Sequence, residues 1–474
     1  MKQQLYVNNQ WIDTKEYIPL YAPYSGEKLA DIALASEENV HEAIEAARAA
    51  AKRMASLSAY ERASILENLV AKLQEKKEEL AQLIAKEAAK PIKTARVEVE
   101  RTIQTYKFAA EEAKRIGGET IPIDAAPDAD GRVAYTIRKP IGVIGAITPF
   151  NFPMNLVAHK VGPAIASGNT IVLKPASQTP LSSYVLAGLL EEAGLPKGAF
   201  NIVTGKGSVI GETLVKDERI AAITFTGSPE VGIAMKSKAG LKRVTLELGS
   251  NSAVIIDEEV MLTKELVERI KWGAFVYNGQ VCISVQRIFV HESLFHVFVK
   301  LFAAATRNLI VGDPLHETTD VTALISKGDV SRVHEWVQEA VKAGAAVIIG
   351  GKQKDERTYE PTILANVPDD VSVQCKEVFG PVVTVNSFAS FHEVIKRVNQ
   401  SQYGLQAGVF TNQLSKAMQA IDELEAGGVM INDVPTFRVD HMPYGGVKQS
   451  GAGREGIKYA IEEMTELKLV CMKK

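Results

Sequence analysis

The stretch Ile141-Gly142-Val143-Ile144-Gly145-Ala146-Ile147-Thr148-Pro149-Phe150-Asn151-Phe152-Pro153 decides the fold class. Its first half is a short apolar run closed by polar and proline residues, which reads as a strand. Downstream, a helix is expected from about Pro153 to Ser167, a strand at 170–173 and a helix over 181–193. Further strands are expected at 200–203, 220–225 and 244–246. Short apolar runs separated by helices predict βαβ units and a parallel sheet. The alternation resumes from Ser252 to about Val434 and predicts a second α/β unit.

Upstream, from about Glu38 to Gly117, Ala, Leu, Ile, Glu and Lys recur at three- and four-residue spacing, as in amphipathic helices. A Gly- and Pro-bearing stretch then leads into Arg132-Val133-Ala134-Tyr135-Thr136-Ile137-Arg138, whose alternation predicts a strand on an exposed arm.

At about 150 residues per domain, a 474-residue chain has room for several domains. Its 46% apolar and 23% charged residues are those of a globular protein. The net charge of -3 and the dispersed basic residues exclude nucleic acid as a main partner. Cys282, Cys375 and Cys471 form no CxxC pair, so no disulfide framework is expected and a reducing cytoplasm is. No run approaches the roughly 18 apolar residues of a membrane span, and no membrane association is expected. The histidines show no HExxH or paired spacing, so no metal is expected.

The residues with chemistry to offer are Cys282, in Asn278-Gly279-Gln280-Val281-Cys282, and Glu247, in Leu246-Glu247-Leu248-Gly249. A thiol attacks electrophilic carbon, and a carboxylate activates the water that releases the product. The other reading of an isolated Cys is a buried structural thiol. Two turns suit phosphate. Gly205, Gly207 and Gly211 follow one strand, one residue longer in spacing than the usual dinucleotide fingerprint. Phe225-Thr226-Gly227-Ser228-Pro229-Glu230 follows the next, with Ser228 at a capping position and Pro229 at a first helical position. Both turns also read as ordinary strand-to-helix connections. Lys174, at a strand end, is either a ligand contact or a solvated lysine.

With these residues in view, the chain resembles the aldehyde dehydrogenase superfamily over essentially its whole length. The resemblance is carried by Thr148-Pro149-Phe150-Asn151-Phe152-Pro153, Leu173-Lys174-Pro175-Ala176-Ser177, Phe225-Thr226-Gly227-Ser228, Leu246-Glu247-Leu248-Gly249 and Gly279-Gln280-Val281-Cys282. It continues through Glu377-Val378-Phe379-Gly380-Pro381 and Pro443-Tyr444-Gly445-Gly446-Val447-Lys448-Gln449-Ser450-Gly451, in the family's order. It implies two doubly wound α/β domains, a Rossmann-like cofactor domain (1–118 and 137–248) and a catalytic domain (249–447). A β-arm with a C-terminal strand (119–136 and 448–474) is implied for oligomerisation, as a homodimer or homotetramer.

The resemblance implies NAD(P)-dependent oxidation of an aldehyde through a cysteine thiohemiacetal and a thioester hydrolysed by activated water. Cys282 is the implied nucleophile, Glu247 the base and Asn151 the oxyanion donor. Phe150, Lys174, Ser177, Gly207, Gly211, Gly227, Ser228, Glu377 and Phe379 are the implied cofactor residues. Glu247 favours hydrolysis over transfer of the acyl group to coenzyme A. The intact set weighs against a non-catalytic protein that retains the fold.

Ser177 stands where NAD-strict relatives often carry Glu; its lack of charge predicts that NADP is accepted, with Lys174 as a charge partner. Ser250 and Phe150 replace a more usual Gly and Trp. The segments Glu100-Arg101-Thr102 and Phe437-Arg438-Val439-Asp440-His441-Met442-Pro443 resemble the branch of lactaldehyde and non-phosphorylating glyceraldehyde-3-phosphate dehydrogenases. They predict that Arg101 and Arg438 face a small hydroxy-, carboxy- or phospho-aldehyde, or else tie domains or subunits together. Trp272, Phe275 and Tyr277 fall near a helical repeat and read as core, or as core with one edge lining the pocket.

Overall fold

The run Ile141–Ile147 supplies one strand, Val143–Ile147, at the centre of an eight-stranded sheet in the computed structural model, which describes residues 2–474. Its parallel neighbours are Thr170–Lys174 and Phe200–Ile202 on one side, and Ile220–Thr226 and Arg243–Glu247 on the other. In chain order these five strands run 3-2-1-4-5, the doubly wound arrangement. The order reverses between Val143–Ile147 and Ile220–Thr226, so a crevice opens beyond their carboxyl ends. Ile147 is in register with Lys174, and Thr226 with Glu247, so the functional candidates share that edge.

The chain leaves this sheet at Glu247 and enters a seven-stranded one at Ala253–Ile256. There Ala253–Ile256 lies between Arg287–His291 and Gln406–Phe410, all parallel. Val382–Phe388 follows, in register Arg287 with Thr384. The loops carrying Cys282 and Glu377 feed the amino ends of Arg287–His291 and Val382–Phe388. The crevice of one sheet therefore meets the entry loops of the other.

Four helices, Glu37–Ser56, Ala59–Glu75, Lys77–Ala88 and Ile92–Ala113, occupy the expected upstream region. Ser36 and Ser58 close capping boxes on the first two, satisfying orphan N–H groups at each start. Leu66, Leu69, Tyr106 and Ala109 from this layer join Val157 and Val161 of helix Asn155–Ala166 in one core.

The arm strand runs Arg132–Pro140 and pairs antiparallel with Thr465–Lys473. Residues after 448 divide their roles. Gly451–Ala452 pairs outside Arg243–Glu247 and forms the edge of the eight-stranded sheet, and Ile457 and Ile461 are buried in the helical core. Thr465–Lys473 alone joins the arm, with Leu467, Leu469 and Met472 about half exposed. Among the described residues no helix is long and apolar enough to cross a membrane.

Candidate active site

The turn before Cys282 is held in a conformation that few sequences tolerate. Tyr277, Asn278 and Gly279 all have left-handed φ, at 47°, 58° and 70°. A Cβ on Gly279 would lie 2.3 Å from the Gly380 carbonyl oxygen, so only glycine fits. The turn is paid for by side-chain bonds. Asn278 accepts from the Thr322 N–H and donates to the Ala323 carbonyl, each at 2.8 Å, and Tyr277 donates to the Ala88 carbonyl at 2.7 Å. Cys282 is thereby presented, partly buried, at the junction of two cavities.

Asn151 is brought to this loop from the turn after Val143–Ile147. Its amide donates to the Gln280 carbonyl at 3.0 Å, leaving a second N–H, and its side-chain oxygen has no partner. The buried Lys90 donates to the Asn151 carbonyl at 2.6 Å and pairs with the buried Glu98, which accepts from the N–H groups of Met154 and Asn155. That pair fixes the turn from beneath.

Glu247 ends its strand 3% exposed, and neither carboxylate oxygen has a hydrogen-bond partner. Burial pushes its pKa well up; Glu455 adds to this, against Arg438, Lys160 and Arg454. A Cβ on Gly445 would come 2.9 Å from Glu247 Oε1, so glycine there leaves the carboxylate its place. Beneath lies a buried charge cluster. Lys160 Nζ meets Glu455 at 2.9 Å, Glu455 meets Arg438 Nη2 at 3.0 Å, and His159 meets Asp440 at 2.9 Å. Lys160 and Arg438 hold Glu455 well below the usual carboxylate range despite its burial.

The Cys282 sulfur lies 2.9 Å from the Tyr444 hydroxyl. Burial pushes the thiol up to about 11; Tyr444 and Arg438 act downward, Glu377 and Glu247 upward.

Two cavities of about 760 and 610 Å³ share Phe150, Gly227 and Ser228 and form one trough from Lys174 to Cys282. Lys174, Ser177, Gly207 and Gly211 line the outer part; Asn151, Glu247, Cys282, Glu377 and Phe379 line the inner. Lys174 is buried, not solvated, and burial pushes its amine down to about 8. Ser177 donates to the Gly205 carbonyl at 3.3 Å. Gly207 starts helix Gly207–Lys216, and Ser228 sits at the N-cap of helix Pro229–Lys238.

The Ser228 side chain makes no capping bond, contrary to the simplest expectation for Ser before Pro, so that helix start keeps its N–H groups free. A Cβ on Gly227 would come 2.5 Å from the Phe225 ring, so only glycine fits at this turn, and its N–H donates to the Glu247 carbonyl at 3.0 Å. Free helix starts and a lysine suit a pyrophosphate. Glu377 lies on the loop between helix Ser372–Cys375 and strand Val382–Phe388. It accepts from the Ser250 N–H at 2.9 Å, and burial pushes it up to about 7. Phe150 and Phe379 meet edge to face at 5.6 Å.

On the far side of Cys282 is a cavity of about 210 Å³ lined by Arg101, Phe152, Trp272, Phe437, Arg438 and Tyr444. Both arginines therefore reach the cavity next to Cys282, and both also bind acids: Arg101 meets Asp440 at 2.7 Å, and Arg438 meets Glu455. Arg438 Nε is buried without a partner. Phe275 and Tyr277 are core as expected. Trp272 is not: it is 44% exposed and borders this cavity, because it faces away from the helix side that carries Ile270 and Phe275. Sequence reasoning missed Tyr444, Glu455 and Lys160. Tyr444 lay within a motif quoted above without a role, whereas a lone Lys and Glu gave no signal.

The family described as "Aldehyde dehydrogenase family" matches residues 11–470. The chain is 48% identical to 3-sulfolactaldehyde dehydrogenase of Priestia aryabhattai over 468 residues, 99% of this chain and 97% of the relative. Aldehyde dehydrogenase 21 from Physcomitrella patens, solved with the reaction product succinate, superposes with a TM-score of 0.97 at 41% identity, covering 100% of this chain and 98% of that one. Glyceraldehyde-3-phosphate dehydrogenase GapN from Methanocaldococcus jannaschii, solved with NADP, gives 0.93 at 42% identity, covering 97% and 100%.

Proposed function

The chain belongs to the aldehyde dehydrogenase family, and on that premise we propose that it oxidises a small anionic aldehyde to a carboxylic acid with NADP or NAD. The observation that carries this reading is the placement of Cys282 and the unpartnered Glu247 carboxyl in one cavity.

Cys282 attacks the aldehyde carbon as thiolate. The oxygen that becomes an anion is met by the second N–H of Asn151 and the backbone N–H of Cys282, donors that change little during the step. A nicotinamide cofactor, when bound, would supply the hydride acceptor for the oxidation, and Cys282 would hold the resulting acyl group as a thioester. Glu247, as carboxylate, takes a proton from water, whose oxygen attacks the thioester carbon and frees the acid and the thiol. Direct hydrolysis in this way needs no coenzyme A.

Lys174, Ser177, Gly207, Gly211, Gly227 and Ser228 would hold the adenosine ribose and pyrophosphate; Phe150, Glu377 and Phe379 would flank the nicotinamide ribose. The uncharged Ser177 beside Lys174 supports acceptance of a 2′-phosphate. Arg101 and the unpartnered Nε of Arg438 support a substrate with a carboxylate, sulfonate or phosphate at its far end, in a cavity of about 210 Å³. Relatives named for 3-sulfolactaldehyde or solved with succinate point the same way.

The reading divides the chain at 1–118 and 137–248 for the cofactor, 249–447 for catalysis, and 119–136 with 448–474 for assembly into a homodimer or homotetramer. Exposed Leu467, Leu469 and Met472 on the arm support that assembly. Three unpaired cysteines support a cytoplasmic setting. The test is absorbance at 340 nm with short anionic and neutral aldehydes, both cofactors, and coenzyme A present or absent. Reduction without coenzyme A, fastest with an anionic aldehyde, is expected; strict dependence on coenzyme A contradicts the reading.

A further inference from the structure

Cys282 poses a problem of ionisation. A thiolate is the attacking species, yet no Lys, Arg or His stands within four residues of Cys282 in the chain. The carboxyl groups that face it, Glu247 and Glu377, oppose a negative sulfur, as does burial. Among the described residues, the one side chain hydrogen-bonded to the sulfur is Tyr444, at 2.9 Å, and it is 2% exposed.

The surroundings of Tyr444 decide which partner donates. The Arg438 guanidinium lies 3.6 Å from the centre of the Tyr444 ring. A cation over the ring draws charge from the phenol, which strengthens the hydroxyl as a donor and weakens it as an acceptor. Arg438 is held there by Glu455 at 3.0 Å, and Glu455 is itself anchored by Lys160. Tyr444 is fixed too, through paired backbone bonds with Glu455 at 3.0 and 2.7 Å. Its own ionisation is pushed well up by burial and by Cys282, so it keeps its proton.

We propose that Tyr444, polarised by the stacked Arg438, is the hydrogen-bond donor that holds the Cys282 thiolate in the reacting state. The thiol proton leaves to solvent, the Tyr444 proton stays on its oxygen, and the O–H···S⁻ bond replaces hydration that burial removes. Hydrogen bonds to charged acceptors are the strong class, and this one is made to the reacting atom itself. Arg438 acts through Tyr444 as a positioning and polarising residue, in addition to any contact with substrate.

The inference rests on Cys282 being the nucleophile, and the experiment separates the two. Alkylation of Cys282 by iodoacetamide is followed across pH by peptide mass spectrometry, without aldehyde or cofactor, so that Cys375 and Cys471 do not interfere. Tyr444→Phe removes only the hydroxyl. Its alkylation midpoint is expected to rise by about one to two pH units, which is about a 10- to 100-fold slower reaction at a fixed pH below both midpoints. Arg438→Met, which keeps the Tyr444 hydroxyl, is expected to raise the midpoint in the same direction. A Tyr444→Phe midpoint equal to that of the unaltered protein overturns the role of Tyr444; an unchanged Arg438→Met midpoint overturns that of Arg438. Full aldehyde oxidation by Cys282→Ser would instead overturn the nucleophile assignment, whatever the midpoints show.

Discussion

The Asn151 side-chain amide donates to the Gln280 carbonyl at 3.0 Å, joining the turn beyond the central strand of one sheet to the loop that presents Cys282 from the other. One amide hydrogen makes that link and the other is free for the oxygen of a substrate. Asn151→Ala is therefore expected to lower kcat about 10²- to 10³-fold, with a much smaller change in KM, because the donor matters most once charge has developed. Steady-state kinetics checks this; a pure KM effect would remove Asn151 from the oxyanion role.

The pH profile follows from burial. In the proposed reaction Glu247 acts as a carboxylate to activate water, and its pKa is raised by burial and then by Glu455. Cys282 must be a thiolate, and burial pushes it up to about 11. Both required forms gain population as pH rises, so turnover is expected to climb through neutral into alkaline pH and to fall on the acid side. Glu455→Gln removes a repelling charge, so the acid limb governed by Glu247 is expected to move to lower pH. The same change strands Lys160 in the interior and is expected to destabilise the protein by about 3–5 kcal/mol, read by denaturant unfolding.

Cofactor choice turns on Ser177. Its hydroxyl is spent on the Gly205 carbonyl and it brings no charge to the trough near Lys174. Ser177→Glu would place a carboxylate where a 2′-phosphate would come. KM for NADP is expected to rise at least about tenfold, or about 1.4 kcal/mol, with that for NAD unchanged or lower. Equal effects on both cofactors would contradict the placement.

Arg101 tests the substrate class without disturbing the Tyr444 stack. Its guanidinium borders the cavity beside Cys282 while it pairs with Asp440. Arg101→Gln is expected to raise KM about tenfold or more for an aldehyde with a terminal anion and to leave a neutral aldehyde of the same length nearly unaffected. A parallel loss for both would make the arginine a structural tie.

Much of the fold could be read from the sequence because its strands are short apolar runs punctuated by Pro and Gly. The expected strand at 244–246 is Arg243–Glu247, and the expected helix at 181–193 is Leu181–Glu192. Cys282, Glu247 and Asn151 line one cavity, and each stands in a motif that is local in the chain. The rest was hidden by distance and by burial of charge. Tyr444 and Cys282 are 162 positions apart, and nothing local in the sequence marks Lys160 and Glu455 for the almost complete burial that both have. Gly445 gave no hint that a side chain there would collide with Glu247, since such exclusion exists only in the folded chain. Trp272 fell on a helical repeat, but periodicity cannot tell a core face from a cavity wall.

The most direct measurement is a rapid-mixing experiment on Glu247→Gln with NADP and the best aldehyde, followed by intact-mass analysis. A burst of about one equivalent of reduced cofactor per chain is expected, then a stall, with the acyl group found on Cys282. Steady turnover at the unaltered rate, or a stalled protein carrying no acyl group on Cys282, would contradict oxidation by a covalent thioester that Glu247 serves to hydrolyse.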